Sequence, residues 1–364
     1  MKIGIVGLKQ TGKTTVFDLL TGRGASFQER AASGKGGANA GIGSVPDGRL
    51  AFLSESYRPK KTTYAQIEFT DIAGFSTSWD GQKSAASKFL NDVRHCDALA
   101  YVLRAFESGA PPPEQGHVDP AAELELLESE LVLSDLIMIE RRMGRIKDGK
   151  KITKENAAEL DLLGRCFACL DSGGSIKDMD GLSESDRAAL RQFAFLTAKP
   201  RLAVVNQDEK QFAGGDYPFK ADLEPDCVRL GIPVIGLCAA MELEISLLPD
   251  EEKQMFMDDL GLTEPGISVL SRTAYRLLGL ISFFTVGDDE VKAWTVANGI
   301  NARTAAGKIH TDIERGFIRA EVVSFGHFRE LGTMAKVREK GLFRIEGKDY
   351  AVSDGDIINF RFNV

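Results

Sequence analysis

The stretch 4-GIVGLKQTGKTTVFDLLTG-22 starts as an apolar run, is interrupted at a glycine and continues as an amphipathic segment. The interruption contains the pattern G-x-x-x-x-G-K-T, from Gly7 to Thr14. A glycine-rich turn between a buried strand and a helix presents a row of main-chain N–H groups that can surround a phosphate. We therefore expect a strand over residues 3–6, a helix from Lys13 to Leu20 and a phosphate-binding loop between them.

Each residue type in this loop has a distinct expected role. The two glycines permit the turn, so that the backbone N–H groups of residues 10–15 can face the β-phosphate. Lys13 would bridge the β- and γ-phosphates, and the Thr14 hydroxyl would be a ligand of Mg²⁺. The predicted phosphate contacts are Gly7, Gln10, Thr11, Gly12, Lys13, Thr14 and Thr15.

A second acidic position follows the strand-like stretch 65-AQIEFTDIAGF-75. Asp71 at the end of that strand would hold the magnesium through a water, and the Gly74 N–H would sense the γ-phosphate. The pattern D-x-x-G is common, and Asp71 as a simple turn residue is the alternative. We predict Thr14 and Asp71 as the metal residues, and Lys13, Thr14, Asp71 and Gly74 as the catalytic set.

The base-reading segment is 204-VVNQDE-209. GTP-specific switches use N-K-x-D here, and the same spacing from Asn206 places Glu209 where the aspartate would stand. A glutamate is one methylene longer and fits the guanine donor pair badly, whereas adenine has no such donor pair. We therefore expect Asn206, Gln207 and Glu209 to recognise ATP, with GTP left open. Residues Cys238, Ala239 and Ala240 would back the base, although an ordinary strand exit is the alternative.

The pattern along the chain predicts an α/β protein with a doubly wound, mostly parallel sheet. We assign residues 1–116 and 197–280 to the nucleotide-binding domain, and residues 117–196 to an inserted helical hairpin with coiled-coil-like spacing. Residues 281–364 read as a compact α+β tail, with strand-like runs that include 350-YAVS-353. The Gly/Ala/Ser-rich residues 31–44 are expected to form a mobile loop.

Bulk composition limits the range of functions. The 364 residues carry a net charge of −8, so no global basic field favours DNA or a membrane surface. The N-terminus leads directly into the phosphate loop, so we expect no signal peptide, and no apolar run is long enough to predict a membrane span. Five scattered cysteines suit reduced thiols. We expect a cytoplasmic protein.

With these motifs in place, the chain resembles the Obg-like ATPase (YchF) family of translation-factor-class P-loop proteins. The resemblance runs over nearly the whole length and is carried by GIVGLKQTGKTTVF, VPDGRL, IEFTDIAGF, VDPAAELELLESELVLSDL, LTAKPRLAVVNQDE, AAGKIHTDIERGFIRAEV and EGKDYAVSDGDIINFRFNV. It implies a nucleotide domain, a helical insertion and a C-terminal TGS (β-grasp) domain. It also implies a preference for ATP and association with ribosomes or ribosomal RNA.

Several positions depart from the family pattern. Gln10 replaces an asparagine that helps to hold an activating monovalent cation in related switches, and Lys35 stands where the family has a magnesium-closing threonine. Phe75 follows the family habit of an apolar residue where Ras-type switches have glutamine. Pro113 occupies a position where many relatives have histidine, with His117 four residues on. No residue is therefore assigned to activating the attacking water, and weak, partner-stimulated hydrolysis is expected.

Two other functions stay open from the sequence. One is a GTP-preferring assembly-type GTPase, and the other is a non-hydrolysing regulatory module that binds nucleotide as a structural ligand. The helical insertion is either a solvated decoration or an arm that faces a protein partner. A basic cluster near the C-terminus is either a solvated face or a contact for ribosomal RNA phosphates; its members are Lys336, Arg338, Lys340, Arg344 and Lys348.

Overall fold

The structure is a computed structural model that describes residues 1–23, 39–73, 83–107, 116–149 and 153–363. The strands in these ranges are β1 Lys2–Val6, β2 Asn39–Val45, β3 Lys61–Thr63, β4 Ala65–Asp71, β5 Ala98–Arg104, β6 Arg201–Asn206, β7 Val234–Leu237, β8 Leu280–Thr285, β9 Glu290–Ala297, β10 Phe317–Ser324, β11 Arg344–Glu346 and β12 Asp356–Phe362.

The helices of the first two thirds of the chain carry the phosphate loop and the insertion. They are α1 Lys13–Leu20, α2 Gly48–Tyr57, α3 Lys83–Arg94, α4 Pro120–Lys147, α5 Lys154–Asp171, α6 Glu184–Phe193, α7 Glu209–Gly214, α8 Lys220–Leu230, α9 Ala239–Leu247 and α10 Asp250–Asp259. Those that follow are α11 Gly266–Leu277, α12 Ala302–Ile309, α13 Thr311–Arg315, α14 Phe325–Leu331 and α15 Met334–Glu339.

Contacts between Cα atoms divide the chain into two compact units. The first comprises residues 1–41 and 68–267, and the second comprises residues 42–67 and 268–364. The helical insertion belongs to the first unit by this measure, and residues 42–67 belong with the C-terminal segment. The contacts thus group the chain differently from the three domains expected from sequence, and that three-part division stays a prediction.

One six-stranded sheet has the strand order β2-β4-β1-β5-β6-β7. Strand β1 pairs in parallel with β4 and β5, and the pairs β5–β6 and β6–β7 are also parallel. Strands β5 and β6 are buried along their whole length, which explains their nearly continuous apolar sequences. The order reverses at β1, so the loop after β1 lies where ligands bind in such sheets. The predicted doubly wound fold is confirmed.

The helical insertion is a hairpin with its own small core. The guanidinium of Arg142 on α4 donates to the carboxylate of Glu159 on α5 at 2.5 and 3.0 Å, which ties the two helices together near their connection. Ile139, Leu163 and Cys166 are fully buried in that core. Helix α4 begins with Asp119 as N-cap, whose side chain accepts the Ala121 and Ala122 N–H groups, and with Pro120 in its first turn.

The second unit contains a mixed sheet with the order β11-β10-β12-β8-β9-β3. Helices α12 and α13 cover one face through a core that includes Phe283 and Phe360. Strand β3 and helix α2 come from residues far earlier in the chain, and β3 pairs in parallel with β9. This α+β arrangement confirms the predicted class of the C-terminal segment.

Two local predictions are wrong. Residues 39–44 were expected in a loop but belong to β2, because pairing next to β4 supplies hydrogen bonds that their composition does not announce. The run 350-YAVS-353 is not a strand; Ala351 makes a single bridge to Asn301, and Ser353 donates its N–H to Asp356. The rest of the predicted loop, residues 31–38, lies outside the described residues.

Within the described ranges, no helix combines the length and the apolar character needed to cross a bilayer. The same ranges contain no group of three or more histidine, cysteine, aspartate or glutamate side chains placed to hold a metal ion.

Candidate nucleotide-binding site

The phosphate loop adopts a backbone that its sequence requires. Gly12 has φ = 89° and is the N-cap of α1, a conformation that glycine adopts without strain. Gln10 also has a positive φ, of 63°. A Cβ atom at Gly7 would collide with the carbonyl oxygen of Val102 on β5, so this position needs a glycine for close approach. Gly7 thus permits the close approach of the loop to β5, and Gly12 permits the positive φ at the start of α1.

Lys13 is held inside the loop. Its side chain is only 8% exposed, and its ammonium donates a short hydrogen bond to the carbonyl oxygen of Leu8. Burial lowers the pKa of Lys13 to about 8, and the negative charges of Asp71 and Glu123 oppose that shift. A buried ammonium in a glycine-rich loop has the charge and the position that suit a phosphate oxygen.

Thr14 and Asp71 meet as predicted from their separate motifs. The Thr14 hydroxyl donates a hydrogen bond to Asp71 Oδ2 at 3.0 Å. Burial raises the pKa of Asp71, while the Thr14 hydrogen bond and the charge of Lys13 lower it. Mg²⁺ prefers oxygen ligands and usually takes only one or two from the protein, the others being water and phosphate. A hydroxyl and a carboxylate side by side suit that ion.

Asn206 connects the phosphate loop with the base-side segment. Its Nδ2 donates to the Thr11 carbonyl at 2.9 Å, and its Oδ1 accepts the Ala239 N–H at 3.0 Å. The side chain is 4% exposed. A Cβ atom at Gly12 would collide with this amide, so the packing of Asn206, as well as the positive φ, requires a glycine at position 12.

A cavity of about 600 Å³ lies between the phosphate loop and the carboxyl ends of β6 and β7. It brings together all six predicted base-side residues with part of the phosphate loop. Its lining consists of Gly12, Thr15, Phe106, Asn206, Gln207, Asp208, Glu209, Lys210, Cys238, Ala239, Ala240 and Leu243. Cys238 is the N-cap of α9, so the predicted loop behind the base is a helix N-terminus.

Glu209 and Asp208 have different surroundings. Asp208 is the N-cap of α7 and shares a capping box with Gln211, in which Asp208 Oδ1 accepts the Gln211 N–H at 2.9 Å. Glu209, the first residue of α7, is exposed at the cavity. Gln207 is buried, and its N–H donates to the Leu237 carbonyl at 2.8 Å.

Sequence reasoning missed three residues around this site. Phe106 lines the cavity. Gln211 donates its Nε2 to the Ala105 carbonyl at 2.8 Å and so fixes the segment that carries Glu209. Glu123 is 2% exposed and interacts electrostatically with Lys13. Glu123 reads in sequence as an ordinary acid in the first turn of a helix, and nothing local shows that it faces the phosphate loop.

Some predicted residues lie outside the described ranges. Gly74 is one of them, as are Lys35, Phe75 and Pro113. His117 is described; its Nε2 lies 3.7 Å from Asp119 Oδ2, and its ring is 60% exposed. The other residues predicted for nucleotide and Mg²⁺ binding all lie in the phosphate loop, beside it or around the cavity.

Similar proteins were found by sequence and by structure. The family model YchF-GTPase_C, described as "Protein of unknown function (DUF933)", matches residues 280–363. The "Ribosome-binding ATPase YchF" of Escherichia coli O157:H7 is 40% identical over 367 residues, covering 100% of this chain and 99% of the relative. The protein of the same name from Bacillus subtilis is 39% identical and covers 99% of both.

A solved structure is similar over the same length. The Schizosaccharomyces pombe YchF GTPase superposes with a TM-score of 0.86 at 27% identity, covering 99% of this chain and 97% of that one. Full-length similarity at about 40% identity and a shared fold leave one assignment: the chain belongs to the YchF family.

Proposed function

We propose that this protein binds Mg·ATP between the phosphate loop and the 600 Å³ cavity, hydrolyses it slowly and associates with ribosomes. The observation that carries the proposal is the convergence of Lys13, Thr14 and Asp71 beside a cavity that shares Gly12 and Thr15 with the phosphate loop. The relatives named ribosome-binding ATPases support both the reaction and the partner.

In the proposed complex, the main-chain N–H groups of residues 10–15 surround the β-phosphate and Lys13 contacts the β- and γ-phosphates. Thr14 and Asp71 would hold Mg²⁺, which when bound neutralises charge on the phosphate oxygens. Lys13 would exchange its hydrogen bond to the Leu8 carbonyl for one to phosphate. The buried position of the ammonium strengthens that contact, because few waters compete for it.

We propose ATP in preference to GTP. Glu209 occupies the position of the guanine-reading aspartate, and its placement at the start of α7 is fixed by the Asp208–Gln211 capping box. A longer side chain from a fixed starting point meets the guanine donors at a poorer distance, whereas adenine loses nothing. The alternative of GTP is favoured by the S. pombe relative, whose structure is described as that of a GTPase.

Slow hydrolysis is part of the proposal. Phosphoryl transfer depends on positioning and on electrostatic stabilisation of the transferred group. Lys13 and the loop amides supply charge stabilisation, and we assign no described side chain to orienting the water. A partner that adds such a group would accelerate the reaction, as in other switches of this class.

A ribosome-associated protein would act in the cytoplasm, and two surfaces of this chain are candidate contacts for the ribosome. The basic cluster offers one candidate contact: Lys336, Lys340 and Lys348 are exposed, whereas Arg344 also pairs with Glu346 and Asp356 at 3.3 and 3.4 Å. The helical insertion offers another for a protein partner. A contact with RNA phosphates would weaken steeply with added salt.

Two measurements test the proposal. Competition of unlabelled ATP and GTP for a fluorescent nucleotide decides the base, and at least tenfold weaker competition by GTP is expected. Single-turnover phosphate release, with and without ribosomes, decides the reaction. Release above background that rises with ribosomes supports an ATPase, whereas no release in either condition leaves a non-hydrolysing binding module. Equal competition by GTP would contradict the proposed base preference.

A further inference from the structure

A buried carboxylate, Glu123, belongs to the helical insertion and interacts electrostatically with Lys13 of the phosphate loop. It occupies the first turns of α4, four residues after the N-cap Asp119, and is 2% exposed. Burying a carboxylate is costly unless charges or hydrogen-bond donors compensate it. Burial raises the pKa of Glu123 to about 7, against the opposing influence of its basic neighbours.

Three groups compensate this carboxylate. The backbone N–H of Arg104, the last residue of β5, donates to Glu123 Oε2 at 2.9 Å. The charges of Lys13 and of the Arg104 side chain attract it, while that of Asp119 repels it. Glu123 therefore joins the first turns of the insertion to the end of a central strand and, through its charge, to the phosphate-binding lysine.

The same contact reaches the wall of the cavity. Arg104 is itself buried; its Nε donates to the Phe106 carbonyl at 3.1 Å, and its guanidinium lies 5.0 Å from the centroid of the Phe106 ring. Phe106 lines the cavity. Glu123 is thus linked by its hydrogen bond to Arg104 to the residue that contacts Phe106 in the cavity wall. Its charge also interacts with that of Lys13 in the phosphate loop.

We propose that Glu123 is a positioning residue that couples nucleotide occupancy of the phosphate loop to the first turns of α4. The inference rests on the proposed function, since it concerns regulation of the same site. A bound triphosphate draws the Lys13 ammonium toward its own negative charge and repels the Glu123 carboxylate. Because this carboxylate holds α4 to Arg104, the repulsion loosens that attachment, more for a triphosphate than for a diphosphate.

Two variants of the full-length protein separate coupling from structural support. Glu123→Gln keeps the side-chain shape and an acceptor for the Arg104 N–H but removes the charge; Glu125→Gln changes an exposed residue on the same helix. Affinities for fluorescent ATP and ADP analogues are measured with Mg²⁺ at pH 7.5, between the pKa values of Glu123 and Lys13, where most of each group is charged. Hydrogen exchange of residues 117–131 is followed without nucleotide, with Mg·ADP and with a Mg-bound non-hydrolysable ATP analogue.

In the wild-type protein we expect the ATP analogue to speed exchange in residues 117–131 at least twofold relative to Mg·ADP. Glu123→Gln should abolish that difference and bind the ATP analogue roughly 5 to 10-fold more tightly, because a buried like charge is removed. Glu125→Gln should match the wild type. If the role of Glu123 were only structural, its replacement would lower the affinities for both nucleotides equally.

Two results would overturn the inference. The first is a wild-type protein that binds nucleotide but shows no difference in exchange over residues 117–131. The second is Glu123→Gln with wild-type affinities and the wild-type exchange difference. If neither the wild type nor Glu125→Gln binds either nucleotide, the proposed function itself fails, and the coupling falls with it; the binding measurement distinguishes that case from the other two.

Discussion

Asn206 Nδ2 lies 2.9 Å from the Thr11 carbonyl oxygen, so one side chain at the end of β6 holds the phosphate loop from 195 residues away. The same amide accepts the Ala239 N–H through its oxygen. The phosphate side and the base side are therefore connected by a single buried group, which could not keep both contacts if either side moved.

Replacing Asn206 by alanine should lower the affinities for ATP and for GTP to a similar extent, by at least tenfold. The change leaves the buried Thr11 carbonyl and Ala239 N–H without this partner, at a cost of about 2–4 kcal/mol in unfolding free energy. Nucleotide titration and urea unfolding measure the two effects. Asn298→Ala, at an exposed position of the second unit, is the control; selective loss of one nucleotide would contradict the shared role.

Lys13→Ala should abolish nucleotide binding. The change removes the charge that we propose to contact the β- and γ-phosphates, and alanine has no group that replaces the buried ammonium. The matched control is Lys9→Ala, which removes an exposed lysine from the same loop. Isothermal titration calorimetry with Mg·ATP measures both. Retained binding in Lys13→Ala, or equal loss in Lys9→Ala, would contradict the assignment.

Glu209→Asp should shift the preference toward GTP. The shorter carboxylate matches the residue that accepts the guanine donor pair in GTP-specific switches, and the capping box of α7 should hold it in place. Competition by ATP and by GTP for one fluorescent nucleotide gives the ratio, which we expect to change by at least tenfold. Glu251→Asp, on exposed α10, controls for the loss of a methylene elsewhere; an unchanged ratio would refute the base-pocket assignment.

Glu123 should make stability depend on pH. Its pKa is about 7 in the folded protein against about 4.5 when unfolded, so between these values the folded state keeps a proton that the unfolded state releases. The resulting stability is present below pH 4.5 and is lost as pH rises through 7, by about 2 kcal/mol between pH 5 and 7.5.

Urea unfolding of the wild type at these two pH values, compared with Glu123→Gln, measures this effect. The variant has no carboxyl group at this position to titrate, so its stability should change less over the interval. Lys13, whose pKa of about 8 is lowered, acts above this range, where it makes stability rise with pH. Parallel pH profiles for the two proteins would show that Glu123 does not titrate as described.

Arg49→Ala should destabilise the second unit. Arg49, at the start of α2, donates to Asp354 at 2.8 and 3.1 Å and lies 5.3 Å from the centroid of the Phe284 ring. We expect a loss of about 1–2 kcal/mol, visible as faster hydrogen exchange in β8 and β12. Arg329→Ala, at an exposed position of the same unit, should have little effect. Unchanged exchange would mean that α2 contributes little to this unit.

Local patterns in the sequence predicted the elements that position the site. The strand–loop–helix at residues 2–20 needs only an apolar run, two glycines and a helical repeat, all of them close together in the chain. The hairpin of α4 and α5 was predicted from apolar residues at three- and four-residue spacing, with acidic residues early and basic residues late in α4. Strand β2 was missed, because its composition indicates a loop and its pairing with β4 involves residues that are distant in the chain.

The sequence by itself predicted the phosphate loop, the site residues Asp71 and Asn206, and membership in a protein family, since each prediction rests on short-range patterns. Tertiary structure alone decided that β3 pairs with β9 of the C-terminal segment and that Glu123 is buried and interacts electrostatically with Lys13. The physical reason is that burial and charge–charge interactions depend on distances in space. An acid at the start of a helix looks the same in sequence whether it faces water or a buried ammonium.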